Sequence, residues 1–298
     1  MLQSRFSFRD QMIPIRGRFA RPSLLLIDLM HDSIQPFLDE QPLSLKCVDR
    51  VFRFLAGELR ADRLPEDALT EMHAFYDRML RHERYFLHHF APYVCEVDDA
   101  FGVKTSQPKL LDLGCGVGTQ AALFAARGAK VIGIDNKPHR AAAANAMRPW
   151  YETQMGVEVD VEIHFADAFE FLTNLEPESL DGAYTQFALA YMEPHSEMLK
   201  LIHRVLRPGG RVLFREFNAG SVYNRFISKV DWLTAENYQQ IGDAFGWRLL
   251  DKRFYWLFPR PLINSPICGP VAIAAENALA NLPVARSLTG SMTLVFER

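Results

Sequence analysis

Between Ser44 and about Ala91, apolar positions recur every three or four residues: Leu45, Val48, Phe52, Leu55 and Leu59, then Met72, Phe75, Met79, Phe86 and Phe90. That step predicts two amphipathic helices, with Leu64-Pro65 between them. From Lys109 the texture changes to short apolar runs (KLLDLG, AKVIGID, VEIHFAD, SLDGAYTQF) alternating with helical stretches (TQAALFAARG, KPHRAAAANAM, MLKLIHRVL). Alternation of this kind predicts βαβ units and a parallel sheet. Pro208-Gly209-Gly210 is expected to stop the helix before the strand RVLFREF, and Thr234 to cap a helix carrying Tyr238, Ile241 and Phe245. WRLLDKRFYWLF and SMTLVFER read as two last strands, separated by about thirty residues with a helix-like stripe of Val271, Ala275, Leu279 and Leu282. The expected fold class is α/β: a seven-stranded sheet with a long insertion before its last strand.

Composition keeps this picture and removes others. The chain has 298 residues, 49% apolar and 23% charged, which is ordinary for a globular protein. No fixed-period repeat suggests a solenoid or propeller. A net charge of -3 and a pI near 6.3 argue against nucleic acid as a partner. Cys47, Cys95, Cys115 and Cys268 lack disulfide-framework or metal-ligand spacing, which suits a reducing compartment and predicts a cytoplasmic location. Leu24 to Leu29, interrupted by Asp28, is far short of the roughly 20 residues that span a bilayer, so no stable membrane anchor is expected. Arg5, Arg9, Arg16, Arg18 and Arg21 read as a basic surface arm, with a targeting segment as the alternative.

The chemistry is concentrated where the first strand ends. LLDLGCGVGTQ places Asp112, Gly114, Gly116 and Gly118 at a strand-to-helix turn, where glycines allow positive φ and the helix start favours an anionic group. A dinucleotide fingerprint would need glycine where Thr119 stands. The second strand ends in Asp135, an acid placed to accept ribose hydroxyls. The third ends at Asp167, beside the same crevice or simply capping the helix that follows.

These motifs together resemble the class I S-adenosylmethionine-dependent methyltransferases. The likeness runs from Lys109 to about Phe217: LLDLGCGVG as the glycine loop, GIDNKP as the ribose acid, ADAFEF as the adenine-side acid, DGAYTQFAL as the fourth strand and VLRPGGRVLF as the approach to the fifth. The resemblance implies a Rossmann-like sheet whose last strand is antiparallel, S-adenosylmethionine as cofactor, and methyl transfer by in-line displacement. It implies that Asp112, Gly114, Cys115, Gly116, Gly118 and Gln186 surround the methionine part, Asp135 and Asn136 the ribose, and Asp167 with Ala168 the adenine. Residues 1–100 would then be a basic arm and helical lid, and residues 101–298 the catalytic domain with an insertion at about 259–290. Arg84 and Tyr85 are the lid residues expected to meet the methionine carboxylate and the sulfonium.

Those early helices and the insertion resemble enzymes acting on quinone, polyketide, lipid or sugar-like molecules, so a small-molecule acceptor is expected. Candidates for proton handling are His195 after the fourth strand, Glu216 at the end of the fifth, and Tyr191. Their bland readings are a helix first turn, a surface pair with Arg215 or Arg225, and core packing. The resemblance departs at Ala190-Tyr191, where His or Glu is common. His82, His88 and His89 invite a metal reading, but no second cluster with paired spacing supports one, and no metal is expected. Rival functions are a nicotinamide oxidoreductase and a non-catalytic S-adenosylmethionine-binding subunit. Oligomeric state is not readable.

Overall fold

The structure, a computed structural model, describes residues 36–222, 224 and 232–298. The basic arm, the Leu24–Leu29 stretch and Arg225 lie outside the described residues.

Among the described residues three long helices precede the sheet, where the apolar spacing predicts two: α1 (Leu45–Arg60), α2 (Glu66–Arg81) and α3 (Glu83–Phe101). The additional break is at His82, whose φ of -137° and ψ of 50° leave the helical region. Met79 and Phe86 are seven residues apart, two full turns, so periodicity passes over the kink without registering it. The kink lets Phe86 and Phe90 pack edge-on to Phe52, with centroids 5.8 and 4.8 Å away.

From Lys109 the alternation is as expected. Strands β1 (Lys109–Leu113), β2 (Lys130–Asp135), β3 (Val161–Phe165) and β4 (Leu180–Gln186) are parallel neighbours in the order β3-β2-β1-β4. They are joined by α4 (Thr119–Ala126), α5 (Pro138–Met155) and α6 (Ala168–Asn174). After α7 (His195–Val205) comes β5 (Leu206–Phe217), parallel to β4, and after α8 (Ala235–Ala244) come β6 (Arg248–Tyr255) and β7 (Ser291–Glu297). Strand β7 inserts between β5 and β6, antiparallel to both. Thr234 caps α8 through a capping box with Asn237.

Pro208-Gly209-Gly210 does not separate helix from strand as expected. Helix α7 ends at Val205, and β5 already pairs at Leu206 with Leu180; the next partners are Arg211 and Gly182. The three residues are accommodated as an irregularity inside the strand, with Gly209 at a φ of 75°.

Both sheet faces are covered, so successive strand residues feed two cores. Leu110, Tyr184, Leu213 and Val295 join α1–α5 in one; Leu111, Leu113, Ala183, Val212 and Phe214 join α6–α8 in the other. Near-continuous apolar strands are what a parallel sheet buried on two sides requires.

Charge is also taken inside the helical layer. Arg127 is 2% exposed; its Nε and Nη2 donate to Asp98 at 2.8 and 2.9 Å, and its remaining donors reach the carbonyls of Phe37 and Glu40. Removing one partner of such a pair leaves an uncompensated interior charge. Asp98→Ala is therefore expected to cost about 3–5 kcal/mol of stability, measured by urea unfolding. A loss below 1 kcal/mol would contradict that account.

Candidate active site

Strand order reverses between β1 and β4, and at such a switch point loops diverge to leave a crevice beyond the carboxyl ends of the strands. On one side of it the glycine loop takes positive φ at Gly114, Gly116 and Gly118 (79°, 58° and 71°). Gly118 lies against α5, where an added Cβ would come within 2.8 Å of the Ala144 methyl.

Asp135, only 6% exposed, ties this loop to β2. One carboxylate oxygen accepts from the Gly116 N–H at 3.0 Å and the other from the Lys137 N–H at 2.9 Å. A carboxylate has about four lone-pair sites, so capacity for two further donors remains. Asn136, next to it, is exposed.

Glu216 performs the corresponding task from β5. It is 1% exposed, and its Oε1 accepts from the Ala188 and Leu189 N–H groups at 3.2 and 2.9 Å. The Ala188 side chain then lies against Gly114, 2.4 Å from where a Cβ would stand. The expectation of a surface pair between Glu216 and Arg215 is corrected here. Side chains alternate across the sheet, and Arg215 goes to the α3 side, donating to Glu96 at 2.7 Å and to the Thr293 hydroxyl at 2.9 Å.

Other expected residues are placed as follows. Gln186 accepts from the Gln120 side chain at 2.9 Å, which brings the end of β4 to the helix after the glycine loop. Cys115 is buried, with its sulfur against Gly133, and burial raises its thiol pKa well above the ordinary value. Asp112 is 3% exposed, with an unpartnered Oδ2; burial pushes it up to about 8. Asp167 is exposed and caps α6, accepting from Phe169 N and Glu170 N, while Ala168 is buried behind it. His195 is half-buried, its Nε2 has no partner, and burial lowers its pKa, so it is neutral near pH 7. Tyr191 is 65% exposed, which removes core packing as its explanation.

Arg84 and Tyr85 face the insertion. Arg84 donates to the Ser265 carbonyl at 2.5 Å, the Tyr85 N–H donates to Asn264 at 3.0 Å, and the Arg260 guanidinium stacks on the Tyr85 ring. The helical residue that reaches the glycine loop is Phe75 of α2, whose ring would be 2.6 Å from a Cβ on Gly116. Arg140 lies over that ring and within 3.9 Å of Asp135. Phe75 reads in the sequence as one more residue of a core stripe, so nothing there marks its reach.

A second group is an aromatic wall past β4, β5 and β6. Phe187 packs on Phe217 and Trp256 at 4.7 and 5.0 Å, and Phe217 stacks on Trp232 at 4.2 Å. Phe187 and Trp256 have φ of 57° and 65°, a region that bulky residues rarely occupy. Such strain persists only where surrounding contacts hold it, often beside a binding site.

Residues 111–214 match a family described as a methyltransferase domain. Among curated proteins, the ubiquinone biosynthesis O-methyltransferase of Pseudomonas putida (strain W619) is 32% identical over 116 residues, 39% of this chain and 47% of that protein. Residues 111–214 thus form a methyltransferase domain. The alignment spans about half the length of the curated relatives that the chain matches. Among solved structures, a SAM-dependent methyltransferase from Archaeoglobus fulgidus aligns with a TM-score of 0.51 and 17% identity, over 75% of this chain and 98% of that one. A phosphoethanolamine N-methyltransferase 2 from Haemonchus contortus gives the same score and identity, over 75% of this chain and 59% of that one. At that identity the likeness speaks for the fold, and the methyltransferase fold is the one observed.

Whether the residues fit the family's cofactor is decided by the cradle. Gly116 and Gly118 present backbone without side chains, and Asp135 retains acceptor capacity, as a ribose requires. Phe75 stands over the loop and is 40% exposed, so it must turn aside or pack on the nucleoside. The site fits on those terms.

The buried acid Glu216 sets a pH test. Burial pushes Glu216 up to about 8, whereas an unfolded glutamate titrates near about 4.3. Its contribution is fully present below the lower value and is lost as pH rises toward the upper one. Urea midpoints of parent and Glu216→Gln, measured from pH 5 to pH 8, are expected to diverge in favour of the variant as pH rises, by up to about 1.4 kcal/mol per pH unit. Parallel curves would show that Glu216 is ionised in the folded protein.

Proposed function

We propose that the protein transfers the methyl group of S-adenosylmethionine to a small, ring-bearing apolar acceptor by direct displacement. The observation that carries the reading is the junction of glycine loop, Asp135 and the β4 loop at one switch point, with an aromatic wall beside it. When bound, the cofactor supplies a methyl carbon already activated by a cationic sulfur. What remains for the protein is alignment, and orientation of this kind is worth roughly 7–11 kcal/mol of barrier.

In this reading the backbone of Gly114, Cys115, Gly116 and Gly118, with Asp112 and Gln186 nearby, borders the methionine part. Asp135 accepts the ribose hydroxyls with Asn136 at its rim, and Asp167 and Ala168 border the adenine. Phe75 takes the lid role first expected of Arg84 and Tyr85, which instead hold the insertion in place. The Phe187, Phe217, Trp232 and Trp256 rings offer flat apolar surface to the acceptor. His195, a neutral imidazole, is the group suited to take a proton from an acceptor hydroxyl. Glu216 acts as a positioning residue, by holding the β4 loop against Gly114. Residues 1–100 serve as arm and lid, and the 259–290 insertion covers the acceptor. Thiols that are all free fit a cytoplasmic setting. Among the described residues, no helix is long and apolar enough to cross a membrane.

Calorimetric titration with S-adenosylhomocysteine tests the donor half. Asp135→Ala removes hydrogen bonds from two ribose hydroxyls to a charged acceptor, each worth about 1.5–3 kcal/mol, so affinity is expected to fall at least tenfold. Binding indifferent to that substitution, or a melting temperature raised by a nicotinamide dinucleotide instead, would contradict the reading. On the acceptor side, Phe187→Ala is expected to raise the KM for an aromatic acceptor several-fold while leaving S-adenosylhomocysteine affinity within twofold, measured by labelled-methyl transfer. An unchanged KM would remove the wall from the acceptor site.

A further inference from the structure

We infer that His88, His89 and Glu276 form a binding site for a zinc-type divalent transition metal, joining α3 to the insertion. The insertion contributes two helices, α9 (Arg260–Asn264) and α10 (Gly269–Leu279), and Glu276 lies on the second. Consecutive residues on a helix diverge by about 100°, so His88 and His89 can share a third group only if it enters the wedge between them. Glu276 does so. Its Oε1 is 3.3 Å from His88 Nε2 and 3.5 Å from His89 Nδ1, and the three donor atoms lie within 4.8 Å of one another.

Those separations are long for hydrogen bonds, which run about 2.7–3.2 Å for N–H···O. Neither ring nitrogen has a hydrogen-bond partner, and His89 Nε2 has none either. The two separations from Glu276 Oε1 do match the edge of a coordination tetrahedron: zinc-to-nitrogen and zinc-to-oxygen bonds of about 2.0–2.1 Å place neighbouring ligand atoms about 3.3–3.4 Å apart. The side chains of His88, His89 and Glu276 are 10%, 6% and 2% exposed, so water does not readily satisfy them.

The carboxylate is already oriented. Oε1 accepts from Trp256 N at 3.1 Å, and Oε2 accepts from Leu257 N and Phe258 N at 3.1 and 3.2 Å. One acceptor position on Oε1 remains for an ion, and backbone donors of this kind are the outer shell that fixes a ligating carboxylate. The nearby Arg215 charge is offset by Glu96, 2.7 Å away, so the divalent ion adds to a neutralised neighbourhood. Two imidazoles and a carboxylate favour zinc-like metals over magnesium or calcium, and three protein ligands leave a fourth position open. Tyr85 and Trp256 flank the cluster, with ring centroids 4.4 and 5.8 Å from the His89 ring. The site would lock the insertion to the helical layer beside the aromatic wall. It stands apart from the methyl-transfer reading, because it uses none of the donor-site residues.

The test uses the full chain, stripped with a chelator and titrated with Zn2+ against a chromophoric competitor, then with Co2+ followed by visible absorption. One equivalent of Zn2+ and an intense four-coordinate Co2+ spectrum are expected. His88→Ala, the substitution least disruptive to the core, should weaken Zn2+ at least tenfold, since even outer-shell changes cost about 10–100-fold. Glu276→Gln should do the same, with circular dichroism reporting that the fold is kept. Zn2+ binding no tighter in the parent than in His88→Ala, or a weak six-coordinate Co2+ spectrum unaltered by either substitution, would overturn the site and leave an ion pair between His88 and Glu276 as the explanation. S-adenosylhomocysteine titration of the same variants separates this outcome from failure of the donor site.

Discussion

A carboxylate with almost no exposure sets the geometry at the centre of this molecule. Asp135 accepts the Gly116 N–H, and with the Gly114 and Cys115 N–H groups donating to the Ile134 carbonyl that bond fastens the end of β2 to a loop whose three glycines have no side chains of their own to hold it. The compensation is mutual. A buried carboxylate needs donors to remain acceptable in the interior, and a glycine loop in the left-handed region needs an external anchor to keep one shape. Glu216 repeats the arrangement on the other side of the switch point, pinning Ala188 and Leu189 so that the β4 loop closes on Gly114. Two acids on two strand ends thus define the walls of one crevice.

The layers around the crevice are held by charge taken indoors in pairs. Arg215 joins β5 to α3 through Glu96, and its guanidinium lies over the Tyr93 and Tyr255 rings at 5.0 and 4.3 Å. Arg127, just past α4, is fastened to α3 in the same way through Asp98. Pairs of this sort add little net stability compared with well-packed apolar groups, yet they penalise every arrangement in which the partners separate. The helical layer is therefore fixed in register over the sheet, and with it the position of Phe75 above the glycine loop.

The insertion gives the acceptor side its character. Its helices meet Arg84, Tyr85 and the histidine pair on α3, while Glu276 gathers the backbone N–H groups of Trp256, Leu257 and Phe258 where β6 ends. That gathering holds Trp256 in an unusual conformation against Phe187. A cover built in this way couples the shape of the aromatic wall to the contact between two distant parts of the chain.

By itself the sequence determined the α/β class, the strand count, the glycine loop and the acid at the end of β2, because these follow from short-range rules: hydrophobic period, capping chemistry and the conformational freedom of glycine. The same rules misread the kink at His82, since apolar residues seven apart look alike on a straight or a broken helix, and they misread Pro208-Gly209-Gly210, whose absorption into β5 depends on pairing with β4. Only the tertiary structure decided that Glu216 is buried on the opposite face from Arg215, that Phe75 rather than Tyr85 meets the loop, and that Glu276 enters between two histidines nearly two hundred residues earlier. Each of these depends on which surfaces the sheet brings together, and contacts between residues so far apart in the chain leave no periodic trace along it.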